Sequence, residues 1–201
     1  MINYKDLFDV ILKEFTINGE LHKRYFHTIG VVEMALTLNK KLKLNIDSDK
    51  VFASAILHDV AKLMPKEEML DILKDEYSDL YEELKDYPNV WHSFVGAYVA
   101  KTKYNIQDNE VLNAIKYHTT GKINMNNLEK LIFVSDYIEK ITRNYESMIE
   151  TRMIAYKSLD DALVKTLSDT IEYLKKENKA IYSLTLDTYN YYLEKGRCNV
   201  Q

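Results

Sequence analysis

Apolar residues recur at intervals of three and four along nearly the whole chain, strand-like alternation is missing, and glycine (five) and proline (two) are scarce. That period gives each segment a single buried stripe, so the pattern predicts an all-helical (all-α) fold. Leu7, Val10, Ile11 and Leu12 mark a first helix. A long second helix is expected from about Glu20 to Leu42, with His27, Val31, Ala35 and Leu38 on or beside its stripe. Ser48 reads as the cap of a third helix that carries Val51, Phe52, Ala55, Ile56 and Val60 to about Lys62, holding His58 and Asp59 in its last turns. Pro65 suits the first turn of another helix, with Glu67 and Glu68 at its positive end. The acidic stretch from there to Tyr87 is expected to cover the core from outside.

Pro88 opens a helix with His92, Val95 and Val99; Asp108 precedes one with Val111, Leu112, Ile115 and His118; Asn126 or Asn127 precedes one with Leu131, Ile132, Val134 and Asp136. An amphipathic stretch from about Leu159 to Lys175 and a tyrosine-rich helix near Thr185 to Leu193 close the pattern. No repeat or linker interrupts it, so one domain over residues 1–201 is expected.

Composition narrows the function more than the fold. The net charge of −4 comes from 27 basic and 31 acidic residues mixed throughout, which argues against extended nucleic acid or an anionic membrane as partner. Local Lys and Arg can still hold a small phosphorylated ligand. The lone cysteine, Cys198, excludes an intrachain disulfide framework and a thiolate metal site, and fits a reducing cytoplasm. The opening residues lack the features of a signal peptide, and no apolar run approaches the roughly 18 residues of a membrane span, so a cytoplasmic protein is expected.

Against that background four of the five histidines stand out, falling with two aspartates in the order His27, His58-Asp59, His92, His118, Asp136. One histidine on an amphipathic helix is ordinarily a satisfied side chain; four of them, one followed directly by aspartate, point to a metal site. Imidazole and carboxylate suit iron, manganese, cobalt or zinc, and six ligands suit two ions, which together can activate water and stabilise charge on a phosphoryl oxygen. Cations lie nearby in sequence: Arg24 one turn before His27, Lys62 one turn after His58, and Lys122 after His118 in a Thr119-Thr120-Gly121-Lys122 turn able to wrap an anion. The 16 tyrosines and seven methionines read as core or boundary, Gly30 and Gly96 as close-packing positions, Trp91 as core, and His22 as exposed. Exposed aromatic helix faces are compatible with a homodimer.

The order His27, His58-Asp59, Asp136 resembles the HD superfamily of metal-dependent phosphohydrolases. The segments RYFHTIGV (24–31), AILHDVAK (55–62), WHSFVGA (91–97), YHTTGK (117–122) and SDYIE (135–139) are similar to the YqeK-type bacterial symmetrical bis(5'-nucleosyl)-tetraphosphatases, over about residues 20–193. The resemblance implies a helical bundle with a dinuclear site between helices. One metal would be held by His27, His58, Asp59 and Asp136, and Asp59 would bridge to a second held by His92 and His118. It further implies iron as the metal, and hydrolysis of diadenosine tetraphosphate at its centre to two ADP by a metal-activated water. Arg24, Lys62 and Lys122 would neutralise the polyphosphate. The chain departs from the family where Lys140 stands in place of a proline, with Arg143 the nearest arginine, and where Ser183-Leu184 replaces His-Pro. A nucleotidase, a cyclic-nucleotide phosphodiesterase or a non-catalytic nucleotide- or metal-binding regulator are the alternatives the residues leave open.

Overall fold

The computed structural model describes residues 4–198. They form helices α1 (Tyr4–Glu14), α2 (Lys23–Lys41), α3 (Ser48–Leu57), α4 (Lys66–Glu76), α5 (Ser78–Leu84), α6 (Pro88–Thr102), α7 (Asn109–Lys116), α8 (Asn127–Ile138), α9 (Glu146–Ala155), α10 (Leu159–Lys176) and α11 (Ser183–Cys198). Among the described residues no helix is long and apolar enough to cross a membrane. α2, α3, α6, α7, α8 and α10 pack together. Their stripes supply the fully buried side chains Leu38, Ile56, Leu57, Phe94, Ile115, Leu131 and Ile132.

The all-α expectation holds, with local differences at the N-terminal end. Strand structure is present: β1 (Thr16–Ile17) pairs antiparallel with β2 (Glu20–Leu21) around Asn18 and Gly19, both at positive φ as a tight hairpin requires. The hairpin takes the residues expected to begin the second helix, so α2 starts at Lys23. His22, expected to be exposed, is half-buried and caps it, its Nδ1 accepting from the Arg24 amide at 3.2 Å.

The third helix ends earlier than the apolar pattern indicated. Asp47, not Ser48, caps α3, and the helix stops at Leu57. From there the chain tightens into i to i+3 bonds, Val60 N to Leu57 O and Lys62 N to Asp59 O. Val60 and Ala61 stay buried through these turns, which is why the apolar period continued past the helix end. His118 likewise lies in the turn after α7 rather than on it. So only His27, His92 and Asp136 are helical; His58, Asp59 and His118 sit on turns. Elsewhere the local signals hold: Asp108 caps α7, Asn126 and Glu129 form a capping box on α8, and Ser158 caps α10.

Candidate metal centre

The turns after α3 and α7 meet the second turns of α2 and α6 and the last turn of α8, and the six candidate ligands converge there. Each carboxylate oxygen of Asp59 faces a different group. Oδ2 lies 3.6 Å from His58 Nε2 and 3.9 Å from His27 Nε2, whereas Oδ1 lies 3.4 Å from His92 Nε2 and 3.6 Å from His118 Nε2. Asp136 Oδ1 completes the first group, 2.8 Å from His27 Nε2 and 3.8 Å from His58 Nε2. Three clusters of possible ligand atoms result: His27, His58 and Asp59; His58, His118 and Asp136; and Asp59, His92 and His118.

Hydrogen bonding on the far side of the rings fixes which nitrogen faces inward. His58 Nδ1 and His118 Nδ1 each lie 2.7 Å from the backbone carbonyl three residues earlier, Ala55 and Ile115, so Nδ1 carries the proton and Nε2 presents its lone pair to the centre. His27 Nδ1 has Glu139 Oε1 at 3.3 Å instead. His27 Nε2, His58 Nε2 and Asp136 Oδ1 are buried atoms turned into the centre, and apart from the 2.8 Å approach of His27 Nε2 to Asp136 Oδ1 they are left to one another. Buried acceptors directed at one space are costly unless a cation satisfies them. The donor set therefore fits a divalent metal held by nitrogen and oxygen.

Electrostatics agree. Burial raises the Asp59 pKa, but Lys62 and the histidines around it outweigh this and hold the carboxyl well below its ordinary value; at Asp136, His27 does the same. Burial pushes His58 down to about 4 and takes His92 well below its usual value, with Lys62 adding to the effect at His92, so both imidazoles are neutral near pH 7, the form that can ligate a metal. His27 is the exception: burial lowers it, yet the carboxylates of Asp136 and Glu139 prevail and raise it to about 9. In the metal-free protein a proton on His27 takes the place of positive charge at the centre.

Arg24 and Lys62 fall where the sequence placed them. Arg24 Nη1 is 2.5 Å from Asp59 Oδ2, and Lys62 Nζ is 3.8 Å from Asp59 Oδ1 and 2.9 Å from His92 Nε2. Thr119 Oγ1 approaches His92 Nε2 at 3.1 Å. Its neighbours turn elsewhere: the Thr120 hydroxyl donates to Gly121 O, Gly121 takes a positive φ, and Lys122 pairs at 3.1 Å with the buried Glu129 of the α8 capping box. These contacts shape the turn that carries His118.

Residues beyond the expected set also matter. Glu139, fully buried just past α8, accepts from the amides of Ile141 (2.5 Å) and Thr142 (2.9 Å) and from the Thr142 hydroxyl while facing His27. It fits only because Gly30, on α2, has no side chain: a Cβ there would overlap Glu139 Oε2 and lie 2.9 Å from its Cδ. Arg143 Nη2 stands 3.8 Å from Asp136 Oδ1. Behind it the buried Arg152 of α9 donates to the carbonyls of Ile138 (2.8 Å), Glu139 (3.0 Å) and Arg143 (2.8 Å), tying the end of α8 to the next turn. Three cavities adjoin the centre. One of about 820 Å³ lies between α8, α9 and α10, with Asp136, His118 and Thr119 in its wall. A second of about 610 Å³ lies between Arg24, Lys62, the start of α6 and the α10–α11 connection, and a third of about 240 Å³ lies between Arg24, His27 and Arg143.

A helical bundle that gathers His, His-Asp and Asp from α2, the turn after α3 and α8 around a divalent metal site is the architecture of the HD domain, and the chain belongs to that family, whose model matches residues 24–141. Among its relatives, a protein of Bacillus subtilis (strain 168) named as a symmetrical bis(5'-nucleosyl)-tetraphosphatase is 40% identical over 169 residues, 84% of this chain and 88% of that one. One of the same name from Staphylococcus aureus (strain NCTC 8325 / PS 47) is 36% identical over 173 residues, 85% and 87% of the two chains. The fold matches a crystal structure from Clostridium acetobutylicum, described as a predicted HD superfamily hydrolase involved in NAD metabolism. The match has a TM-score of 0.87 and 31% identity over 97% of this chain and 99% of that one.

Proposed function

We propose that this chain hydrolyses symmetrical dinucleoside tetraphosphates, diadenosine tetraphosphate above all, at the central linkage to give two molecules of ADP. The single observation that carries the dinuclear form of this reading is the division of Asp59, whose two oxygens face two separate histidine sets 3.4–3.9 Å away. His27, His58 and Asp136 would hold one metal, His92 and His118 the other, with Asp59 shared; iron is our first choice, with manganese, cobalt and zinc compatible with the same donors. When bound, such metals supply Lewis acidity at phosphoryl oxygen and a water of lowered pKa. The relatives named for this activity support the substrate class.

The chain's own groups account for the rest. Arg24, Lys62 and Arg143 surround the centre on the sides of the three cavities, where they neutralise phosphate oxygens beyond the reach of the ligand carboxylates. Arg24 and Lys62 rest on Asp59 in the free protein and can exchange that contact for phosphate. The Thr119 hydroxyl adds a short donor beside His92. The low pKa of His58 and His92 keeps both rings neutral at working pH.

The test is to load purified protein with ferrous iron or manganese under reducing conditions, add diadenosine tetraphosphate in ¹⁸O-water, and resolve the nucleotides. ADP as the only product, with label in half of it, is the expected result. AMP plus ATP would discard central cleavage, and metal-loaded protein with no product would discard the substrate.

A further inference from the structure

Cleavage at the middle of a symmetrical substrate sets a geometric demand. The bond that breaks must lie at the metal centre, so two arms of equal length, each a nucleoside diphosphate, must leave that centre in different directions. Two pockets that meet at the centre would receive one arm each without folding the chain back on itself. The two larger cavities answer this demand and are unlike each other. The cavity of about 820 Å³ reaches the centre through His118 and Asp136; the one of about 610 Å³ reaches it through Arg24 and Lys62. Both volumes suit a nucleotide. Their walls have Thr119, Thr170 and Tyr173 in common.

A second observation concerns aromatic rings. Among the described residues only two tyrosines are exposed, Tyr145 at 70% and Tyr173 at 53%. Tyr145 lines the larger cavity, and Tyr173 stands on the divide between the two. An exposed phenol ring in a cavity wall is a stacking surface for a base, which at Tyr173 would share the ring with Lys179, whose Nζ lies 4.9 Å from the centroid and donates to the hydroxyl at 3.1 Å. The charge lining differs as well: Arg24, Lys62 and Lys179 line the smaller cavity together with one carboxylate, Asp86, whereas Asp136, Asp169 and Glu172 outnumber Arg143 and Lys176 in the larger.

We propose that the two halves of the substrate occupy two non-equivalent compartments meeting at Thr119, Thr170 and Tyr173, and that the smaller, between the start of α6 and the α10–α11 connection, is a second nucleoside diphosphate site. The proposal rests on the substrate class given above. Two identical products then leave unlike sites, and the chain binds two ADP with unequal affinity.

Ala180 and Asn89 are exposed positions in the wall of the smaller compartment, so Ala180→Trp and Asn89→Trp fill it without disturbing the core. Equilibrium dialysis of manganese-loaded protein against ADP is expected to give two sites per chain in the unsubstituted protein and one in each variant. The ratio of kcat/KM for diadenosine tetraphosphate to that for adenosine 5'-tetraphosphate, which has a single nucleoside, should fall at least tenfold in the variants. One ADP per chain in the unsubstituted protein, or two sites and an unchanged ratio in both variants, would overturn the proposal. Absence of ADP from diadenosine tetraphosphate in the unsubstituted protein would instead overturn the substrate class, and the ADP stoichiometry would still decide whether the second compartment binds a nucleotide.

Discussion

Replacing Gly30 by alanine isolates the support behind His27. In an exposed helix the change gains about 1 kcal/mol, because alanine is the better helix former. Here the new methyl would overlap Glu139 Oε2 and come within 2.9 Å of Cδ and 3.3 Å of Cβ, so the carboxylate has to withdraw by roughly an ångström to regain ordinary contact. Withdrawal strains its bonds from the amides of Ile141 and Thr142 and its approach to His27, and hydrogen bonds to a charged group are worth about 1.5–3 kcal/mol each. Losing the better part of two such bonds outweighs the helical gain, for a net destabilisation of about 2–4 kcal/mol. In a chain of 201 residues that corresponds to a fall in Tm of roughly 5–15 °C. Calorimetry measures the shift, and metal analysis should show weaker loading. The decisive assay is a double-mutant cycle: in a Glu139→Ala background Oε2 and Cδ are gone and only the 3.3 Å contact with Cβ is left, so Gly30→Ala should cost far less than in the unsubstituted protein. An equal penalty in both backgrounds refutes the argument, as does a single variant with the stability and metal content of the unsubstituted protein.

Asp59→Asn removes the carboxylate shared by both histidine sets; we expect metal content to collapse and hydrolysis to fall about a hundredfold or more, and a metal-poor variant with full activity would contradict the dinuclear reading. Arg24→Ala should keep its metals and lose about ten- to a hundredfold in kcat/KM, the equivalent of one charge-assisted bond, whereas unchanged kinetics would place Arg24 outside the site. Arg152→Leu leaves three carbonyls without their donor and is expected to lower Tm by about 10 °C, which a thermal melt would show or deny. In metal-free protein the His27 pKa, raised from 6.5 to about 9, makes protonation stabilising: the contribution is complete below pH 6.5 and is lost as pH rises through 9, for about 3 kcal/mol in all. Urea unfolding of protein and a His27→Gln variant between those pH values should differ progressively less as pH rises, and a constant difference would count against it.

The four candidate histidines stood out because the type is rare in this chain and each falls at the apolar edge of a helical signal, and Asp59 and Asp136, of a common type, stood out only through their order with those histidines. What surrounds them was less so. The stop of α3 was hidden because Val60 and Ala61 stay buried after the geometry changes, so periodicity carries no mark of the transition. The hairpin has strands of two residues, too short for alternation to register, though Asn18-Gly19 between them is the residue pair such a turn requires. Glu139 stood at the end of a recognised segment without a role, because its role depends on α2 passing across the end of α8; the one local trace is a glycine three residues after His27. Arg152 left none, since a buried guanidinium held by carbonyls has no acidic partner for spacing to reveal. Lys122 carried a second role that spacing did not reveal: beside the phosphate contact its place after His118 suggested, it pairs with the capping carboxylate of Glu129.

Arg152 links two parts of the molecule that otherwise have separate tasks. It belongs to α9, whose Ser147 and Met148 line the larger cavity, and it grips the carbonyls of the segment that positions Glu139 and Arg143. A ligand that displaces α9 therefore acts on His27 at a distance, through one guanidinium and one carboxylate. Thermodynamic linkage makes the effect mutual: whatever factor nucleotide occupancy lends to metal affinity through this brace, metal occupancy returns to nucleotide affinity. Cutting the brace would leave the two affinities independent of each other along this route.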